Sequence, residues 1–550
     1  MKVEGKSALW LKPITEVAAR AGIPEESLLP YGRFMAKIDP ALIEGLEGRP
    51  SGKLVLVTAM SPTPAGEGKT TLTIGLTQSL NLLGKKAFAC IRQPSLGPLL
   101  GMKGGALGSG LSEAGPGEDF SLQFNGDDYS VVTSHNLISA IIDNHIYHGN
   151  QLAIEKVIWP RVSTINDRAL REITTASVKG SVPRKDEFHI SAASEIMSML
   201  CLSEGPEDFR ERVRRTLVAF NKEGRPITVC DLGIDGAVSA LMKNALLPNL
   251  GQSIEGSPVF VHGGPFGNIS IGCSSVVADR LALKLSDFCL TEAGFSTELG
   301  AEKFLDILCR RSGLFPSAVV IVATLNALRL HGGAKDYLTN DMDAVKKGLP
   351  NLEKHIENMR AFGIPTVVAL NRFKSDTDKE IEEALGLIRG FGVRAEAVDV
   401  RELGAKGGVE AAKAILAACE ESCDESGEKN FLYPLDMPIE EKMKTIATRM
   451  YGADAVVLSD AAKTDLEDIK RLGLEGLPVC VAKTPKSLSD DPALTGRPSG
   501  FTVKVSALRP ATGAGYIVAH CGNVLLMPGM PSRPLAEKID IDSTGRVRGI

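Results

Sequence analysis

The chain has 550 residues, 43% of them hydrophobic and 23% charged, a globular composition that suits roughly two to four domains. Its net charge of -5 argues against a nucleic-acid-binding surface as the main function. Residues 1–12 lack an apolar core of signal-peptide length, and the longest apolar stretch, 318–328, is too short to span a bilayer. These features predict a soluble, cytoplasmic protein with no membrane or nucleic-acid partner.

The ten cysteines are scattered along the chain. Cys90, Cys230 and Cys480 lie in apolar runs, where buried, reduced thiols are expected. Cys419 and Cys423 share a predicted helix, but no second pair with zinc-type spacing accompanies them, so the spacing does not favour a metal site.

The amino-terminal region is predicted to be helical. Residues 14–21, 25–29 and 40–46 have the pattern of short helices, and no strand pattern precedes Lys53. From Lys53 to Met60 an apolar run then predicts a buried strand.

A glycine-rich loop follows this strand and leads into a helix predicted from Thr70 to Leu83. Strand, glycine loop, Lys-Thr and helix form the setting of a phosphate-binding loop, although Thr63 stands where the standard pattern has its first glycine. Lys69 is expected to reach the outer phosphates, and the Thr70 hydroxyl to hold Mg²⁺. The predicted nucleotide-binding residues are Thr63, Pro64, Ala65, Gly66, Glu67, Gly68, Lys69 and Thr70.

A second strand, 86–91, completes a βαβ unit and leads directly into a second glycine-rich stretch. Residues 92–110 contain six glycines in nineteen positions, which predicts an irregular loop. Loops at the carboxyl ends of parallel strands are where α/β sheets bind ligands, so Arg92 is expected beside the phosphate site.

Strands and helices then alternate, which predicts a doubly wound, mostly parallel sheet of the P-loop NTPase type with smaller carboxyl-terminal α/β and antiparallel parts. A helix over 127–148 carries three histidines, a pattern more typical of buried or solvated side chains than of a metal site. Other helices are predicted at 190–202, 207–220, 238–246, 275–286, 300–312, 341–361, 376–389, 408–422 and 438–450. Strands are predicted at 226–230, 258–262, 288–291, 318–324, 365–370, 395–400, 455–458, 479–482, 501–508, 516–519 and 524–527.

Several of these strands end in polar or glycine-rich turns, at 262–268, 291–295, 331–333 and 371–376, and these turns are expected around the phosphate loop. The predicted division of the chain is a nucleotide-binding domain, a second α/β domain and a small β-rich domain, at 1–364, 365–475 and 476–550.

A dozen short strings occur in the same order as in formate–tetrahydrofolate ligases, and the chain resembles that family over residues 30–545. The strings are TPAGEGKTT (63–71), R-x-PSLGP (92–98), GMKGGALGSG (101–110), HGGPFGNI (262–269), TEAGF (291–295), LGAEKF (299–304), LHGG (330–333), NLEKHIEN (351–358), YGAD (451–454), PVCVAKT (478–484), GRP (496–498) and MPGMP (527–531).

The resemblance implies ATP-dependent ligation of formate to tetrahydrofolate through formyl phosphate, which yields 10-formyltetrahydrofolate, ADP and phosphate. It implies that Lys69 and Arg92 bind formyl phosphate, and that Phe373 stacks on the folate, with Phe295 placed nearby. ATP with Mg²⁺ is expected, Asp127 is a candidate residue for a K⁺ or other monovalent cation site, and a homotetramer is expected.

Four positions depart from the family pattern. Gln93 replaces a glutamate, Gln123 and Ile271 replace histidines, and Gly404 replaces the tryptophan expected to cover the second face of the folate ring. An added aromatic ring at Gly404 is therefore expected to strengthen folate binding.

These departures keep two alternatives open. One is a diverged paralogue that acts on another small acid or amine acceptor. The other is a nucleotide-dependent switch ATPase, against which the second glycine loop argues.

Overall fold

The computed structural model describes residues 10–101, 107–175, 182–421, 430–522 and 524–549. Its strands are β1 Leu28–Pro30, β2 Ala36–Ile38, β3 Lys53–Ala59, β4 Ala87–Ile91, β5 Gly108–Ser109, β6 Ser112–Gly115, β7 Ile154–Val157, β8 Arg161–Ser163, β9 Ile173–Thr175, β10 Arg184–Asp186, β11 Phe188–Ile190, β12 Leu217–Asn221, β13 Pro226–Thr228, β14 Asn249–Ser253, β15 Pro258–Val261, β16 Phe288–Glu292, β17 Ala318–Ala323, β18 Thr366–Asn371, β19 Arg394–Val398, β20 Ala455–Leu458, β21 Val479–Ala482, β22 Thr502–Ala511, β23 Tyr516–Cys521, β24 Asp540–Ile541 and β25 Val547–Arg548.

The α-helices alternate with these strands through most of the chain. They are α1 Ile14–Ala21, α2 Leu42–Gly45, α3 Lys69–Leu82, α4 Leu96–Gly101, α5 Gly117–Ser121, α6 Asp127–Tyr147, α7 Glu195–Leu202, α8 Pro206–Arg214, α9 Asp235–Met242, α10 Val276–Leu285, α11 Arg310–Ser312, α12 Leu325–His331, α13 Met342–Arg360, α14 Asp378–Arg389, α15 Val400–Leu403, α16 Val409–Glu421, α17 Ile439–Ile446 and α18 Asp460–Arg471.

The central sheet has the strand order β1-β2-β14-β15-β4-β16-β3-β17-β18-β19. Every neighbouring pair from β15 to β19 is parallel. At the other edge β14 runs antiparallel to β15, β2 and β6. The predicted α/β fold with a mostly parallel sheet is therefore confirmed.

The central strand β3 shows why the sheet is covered on both faces. Leu54 and Leu56 enter one hydrophobic core, whereas Val55 and Val57 enter another, because successive side chains of a strand point to opposite faces. The second core includes Leu72, Leu76 and Leu80 of α3, and the first includes Leu352 and Ile356 of α13. A strand that is buried on both faces has a continuous run of apolar residues, and the sequence predicted β3 from such a run.

The carboxyl-terminal region forms a separate sheet with the order β20-β22-β23-β21. Its centre is the antiparallel pair β22–β23, and β20 and β21 join in parallel at its edges. The division of the chain at residues 364 and 475 stays a prediction. Strands β18 and β19, which follow residue 364, belong to the central sheet, which extends to Val398.

Some sequence predictions were wrong. Two strands, β1 and β2, precede Lys53, contrary to expectation; each has three residues, too few to show an alternating pattern. The predicted helix 207–220 ends at Arg214 and is followed by strand β12. The loop 92–110 includes α4 and β5, and the described residues of 524–527 form no strand.

The cysteine and histidine predictions had mixed outcomes. Cys90 and Cys480 are buried as expected, but Cys230 is exposed. Buried His135 contacts Ser194 and Pro160 with its two ring nitrogens. Within the described ranges, no helix combines the length and apolar character needed to cross a membrane.

Candidate active site

Three neighbouring strands end at the edge of the sheet where the phosphate loop begins. The loop follows β3, Arg92 follows β4, and Glu292 is the last residue of β16, which pairs with both. The strand order therefore brings together residues that are more than two hundred positions apart in the chain.

The phosphate loop depends on glycine at two positions. Gly66 and Gly68 have φ angles of 83° and 77°, a region that residues with a side chain rarely adopt. At Gly68 a Cβ would also lie 2.8 Å from Nδ2 of Asn371. Gly68 directly precedes α3, so the amino terminus of this helix and Lys69 lie at the loop.

The buried carboxylate of Glu67 holds the loop in shape. Its Oε1 accepts a hydrogen bond from the Thr63 backbone N–H at 2.6 Å, and its Oε2 accepts one from the Thr324 hydroxyl. The Glu67 carbonyl accepts a further hydrogen bond, at 3.0 Å, from Asn371 Nδ2. Sequence reasoning placed the turn 371–376 near this loop but assigned no role to Asn371 or Thr324. Each is a polar residue at, or directly after, the end of a buried strand.

The Glu292 carboxylate connects the phosphate loop to Arg92. Its Oε2 accepts a hydrogen bond from the Thr70 hydroxyl at 2.7 Å, and its Oε1 lies 3.4 Å from Nε of Arg92. The Glu292 side chain is only 3% exposed, so its carboxylate lies in surroundings of low dielectric constant. There its attraction to the Arg92 guanidinium is stronger than it would be in water. Glu292 was not among the predicted site residues, although its string, TEAGF, was.

The Arg92 guanidinium keeps part of its donor set available. Nη1 donates to the Pro265 carbonyl at 3.3 Å, while the side chain remains 25% exposed. A planar guanidinium suits a carboxylate or a phosphoryl group. The arrangement can therefore bind two anionic groups side by side, one on the loop and one on Arg92.

An amide network lies directly beyond Arg92. Gln93 and Asn125 exchange hydrogen bonds of 2.9 and 2.8 Å, and Gln93 Nε2 also donates to Gln123. Asn125 donates in turn to Asp127 at 3.0 Å.

The two oxygens of Asp127 are already engaged. Oδ1 lies 2.6 Å from Lys37 Nζ, and Oδ2 accepts from Asn125 and, at 2.7 Å, from Asn249. These contacts leave little room for a cation at Asp127, whose predicted cation role stays a prediction.

The two phenylalanines predicted to contact folate lie in turns at the same sheet edge. Phe373 is half-buried after β18, and its backbone N–H donates to Asp376 at 2.9 Å. Phe295 is half-buried after β16 and has a φ of 60°, a strained value for a residue with a side chain. The exposed side chain of Lys374 lies 3.4 Å from Glu402, so the Phe373 turn is beside the segment before Gly404.

The surroundings of Gly404 argue against the expectation that an added aromatic ring would strengthen folate binding. Its φ is 59°, and a Cβ would lie 2.0 Å from Oε1 of Glu255. The same carboxylate accepts a hydrogen bond from the Ala405 N–H at 3.2 Å. Glu255 therefore occupies the space that a side chain at this position would need.

A sequence model of the family described as formate–tetrahydrofolate ligase matches residues 3–550. The chain belongs to the formate–tetrahydrofolate ligase family. It is 47% identical to the formate–tetrahydrofolate ligase of Thermotoga petrophila over 547 residues, covering 98% of this chain and all of that one. Similar enzymes of Methylobacterium nodulans and Bacillus licheniformis are 47% and 46% identical, over 100% and 98% of this chain and 99% and 97% of theirs.

Membership of the formate–tetrahydrofolate ligase family confirms the ligase hypothesis, and no comparison supports the switch ATPase or the paralogue with another substrate. The enzyme is a ligase that joins formate to tetrahydrofolate at the expense of ATP. Of its predicted site residues, the structure brings Thr70 and Arg92 to one carboxylate, with Lys69 at the start of the adjoining helix.

Glu292→Gln is expected to lower kcat/KM by about 10- to 100-fold, because glutamine offers one acceptor oxygen to two donors, Thr70 and Arg92. Steady-state assays of formate-dependent ADP release measure the change. Glu47→Gln, an exposed position, is the matched control. Unchanged kcat/KM in a folded Glu292→Gln enzyme would contradict the bridging role.

Gly404→Trp is expected to destabilise the protein by about 1–3 kcal/mol, because tryptophan would adopt a strained positive φ and displace Glu255. Tetrahydrofolate binding should not improve. Thermal unfolding and titration with tetrahydrofolate measure both effects, with Glu255→Ala as control. The double variant, Gly404→Trp with Glu255→Ala, should recover part of the lost stability. Tighter tetrahydrofolate binding by a stable Gly404→Trp protein would contradict this prediction.

Proposed function

We propose that the enzyme forms formyl phosphate in the crevice between the phosphate loop and Arg92, and that Glu292 sets the distance between these two groups. The observation that supports this is the pair of contacts from Glu292 to Thr70 and Arg92. One carboxylate thereby couples the groups expected to hold ATP and formate.

In the first step a formate oxygen attacks the γ-phosphorus of ATP. An oxygen–phosphorus bond forms, the bond to the β-phosphate oxygen breaks, and ADP leaves. Two anions must approach each other, so Lys69, the loop N–H groups and Arg92 are proposed to neutralise their charge. Arg92 orients formate through its exposed guanidinium face.

In the second step N10 of tetrahydrofolate attacks the formyl carbon. The carbon–nitrogen bond forms, the carbon–oxygen bond to phosphate breaks, and the proton on nitrogen passes to the released phosphate. Lys69 and Arg92 are proposed to stabilise the oxyanion of this step. Phe373 and Phe295 are proposed to provide apolar surfaces for the folate ring.

The residues at the loop fit a Mg²⁺ ion that accompanies ATP. The Thr70 hydroxyl and the buried Glu292 carboxylate are oxygen donors of the kind that Mg²⁺ prefers. Such an ion would supply charge neutralisation at the outer phosphates.

A monovalent cation does not fit the amide network as it stands. Gln93 Nε2 points hydrogen atoms at Gln123 and Asn125 oxygens, and Lys37 supplies the positive charge at Asp127. We therefore propose that this enzyme needs no K⁺. On the basis of the resemblance, we also propose that it acts as a homotetramer in the cytoplasm.

Lys69→Ala is expected to lower formate-dependent ADP release by at least about 10³-fold, because the outer phosphates lose their positive partner. Lys85→Ala, an exposed lysine just beyond the same helix, should retain full activity. Wild-type turnover by Lys69→Ala would refute the proposed catalytic role.

Gln93→Glu is expected to make the enzyme respond to K⁺. The new carboxylate would face the side-chain oxygens of Gln123 and Asn125, and this group of oxygens would favour a bound cation. Activity is compared in potassium chloride and tetramethylammonium chloride at equal ionic strength.

Gln93→Leu, which has similar size and no charge, is the control for this experiment. Wild-type and Gln93→Leu enzymes should show equal rates in the two salts. Strong K⁺ stimulation of the wild type would contradict the proposal, as would a Gln93→Glu enzyme that is active but indifferent to K⁺.

A further inference from the structure

Two thiols and a carboxylate meet between the central sheet and helix α10. Cys90 lies on β4, Cys289 on the neighbouring strand β16, and Asp279 on α10, which packs against both strands. All three side chains are 0% exposed. Their candidate ligand atoms lie within 4.8 Å of one another.

The spacing of these atoms matches a tetrahedral metal centre. Cys90 Sγ and Cys289 Sγ are 3.6 Å apart. Two sulfurs bound at ~2.3 Å to one tetrahedral Zn²⁺ lie about 3.8 Å apart. Cys289 Sγ is 4.0 Å from Asp279 Oδ1, so a small movement would bring the carboxylate into the same coordination shell.

Two buried oxygens at this point, Asp279 Oδ2 and Thr291 Oγ1, make no hydrogen bond of standard geometry among the described residues. The Thr291 hydroxyl nevertheless lies close enough to lower the pKa of the Asp279 carboxyl, against the larger effect of burial, which raises it. A buried polar atom without a partner is costly, and a carboxylate oxygen more so. A bound cation would remove this cost by taking the carboxylate as a ligand.

We propose that Cys90, Cys289 and Asp279 form a binding site for a divalent cation of Zn²⁺ type. Two thiolates and one carboxylate form a donor set that suits Zn²⁺ or Cd²⁺ and not Mg²⁺ or Ca²⁺. This site is separate from the Mg²⁺–ATP position and does not depend on the proposed catalytic roles.

Binding must release protons, since the metal-free thiols are neutral. Burial raises the pKa values of both Cys90 and Cys289, and it raises the pKa of Asp279 to about 7. Binding of one Zn²⁺ would therefore displace the protons of both thiols.

The site lies close to the catalytic edge along both strands. Cys90 precedes Arg92 by two residues, and Cys289 precedes Glu292 by three. A metal ion here would join β4 and β16 by side-chain ligands, in addition to their backbone pairing. Its expected effect is to stabilise the strand pair that carries Arg92 and Glu292.

The experiment measures the metal content of full-length protein produced in zinc-supplemented medium, because the fully buried site is most readily filled during folding. All variants carry Cys230→Ser to remove an exposed thiol. We expect about one Zn²⁺ per chain in this background and a loss of at least tenfold in Cys289→Val. Cys480→Val, at another buried strand cysteine, should keep the ion.

A second measurement uses Cd²⁺ in place of Zn²⁺ and records thiolate-to-metal charge-transfer absorption of the Cys230→Ser protein. This absorption measurement tests the proposed metal site even if the Cys289→Val protein fails to fold. A metal-free protein without the absorption band, or zinc content unchanged by Cys289→Val, would overturn the proposal and leave two hydrogen-bonded thiols. Asp279→Asn should weaken binding while the band of the two thiolates remains.

Discussion

The active site depends on the parallel pairing of β4, β16 and β3. Glu292, at the end of the middle strand, can accept from Thr70 and Arg92 at once only because their strands are its two neighbours. The carboxylate is buried, so it is stabilised by these two donors and orients them in return. Moving β16 out of the middle position would remove the carboxylate that joins the phosphate loop to the guanidinium.

Hydrogen bonds within the phosphate loop and from adjacent strands hold the loop in shape. Thr63 occupies the first glycine position, and its N–H is held by the Glu67 carboxylate. Thr324, directly after β17, donates to the Glu67 side chain, and Asn371, the last residue of β18, donates to the Glu67 carbonyl. The loop conformation is thus shared among three strands, and its two positive-φ glycines carry the turn.

The departures from the family pattern fit their surroundings. Gln93 exchanges hydrogen bonds with Asn125, whereas a glutamate would leave oxygen facing oxygen. Gly404 adopts a conformation that disfavours tryptophan, and Glu255 fills the adjacent space. These two substitutions are therefore each part of a consistent local structure, and the full-length identity of 47% to formate–tetrahydrofolate ligases agrees with a working enzyme.

The sequence by itself determined the buried parallel strands, the glycine-rich loop after β3 and the family, since these depend on local apolar runs, glycine positions and short ordered strings. It did not reveal β1 and β2, which are too short for a pattern, or the roles of Glu292 and Glu255. Those roles depend on which strands become neighbours. Only the tertiary structure decides this, because hydrogen bonds such as the one from Thr70 to Glu292 join residues 222 positions apart.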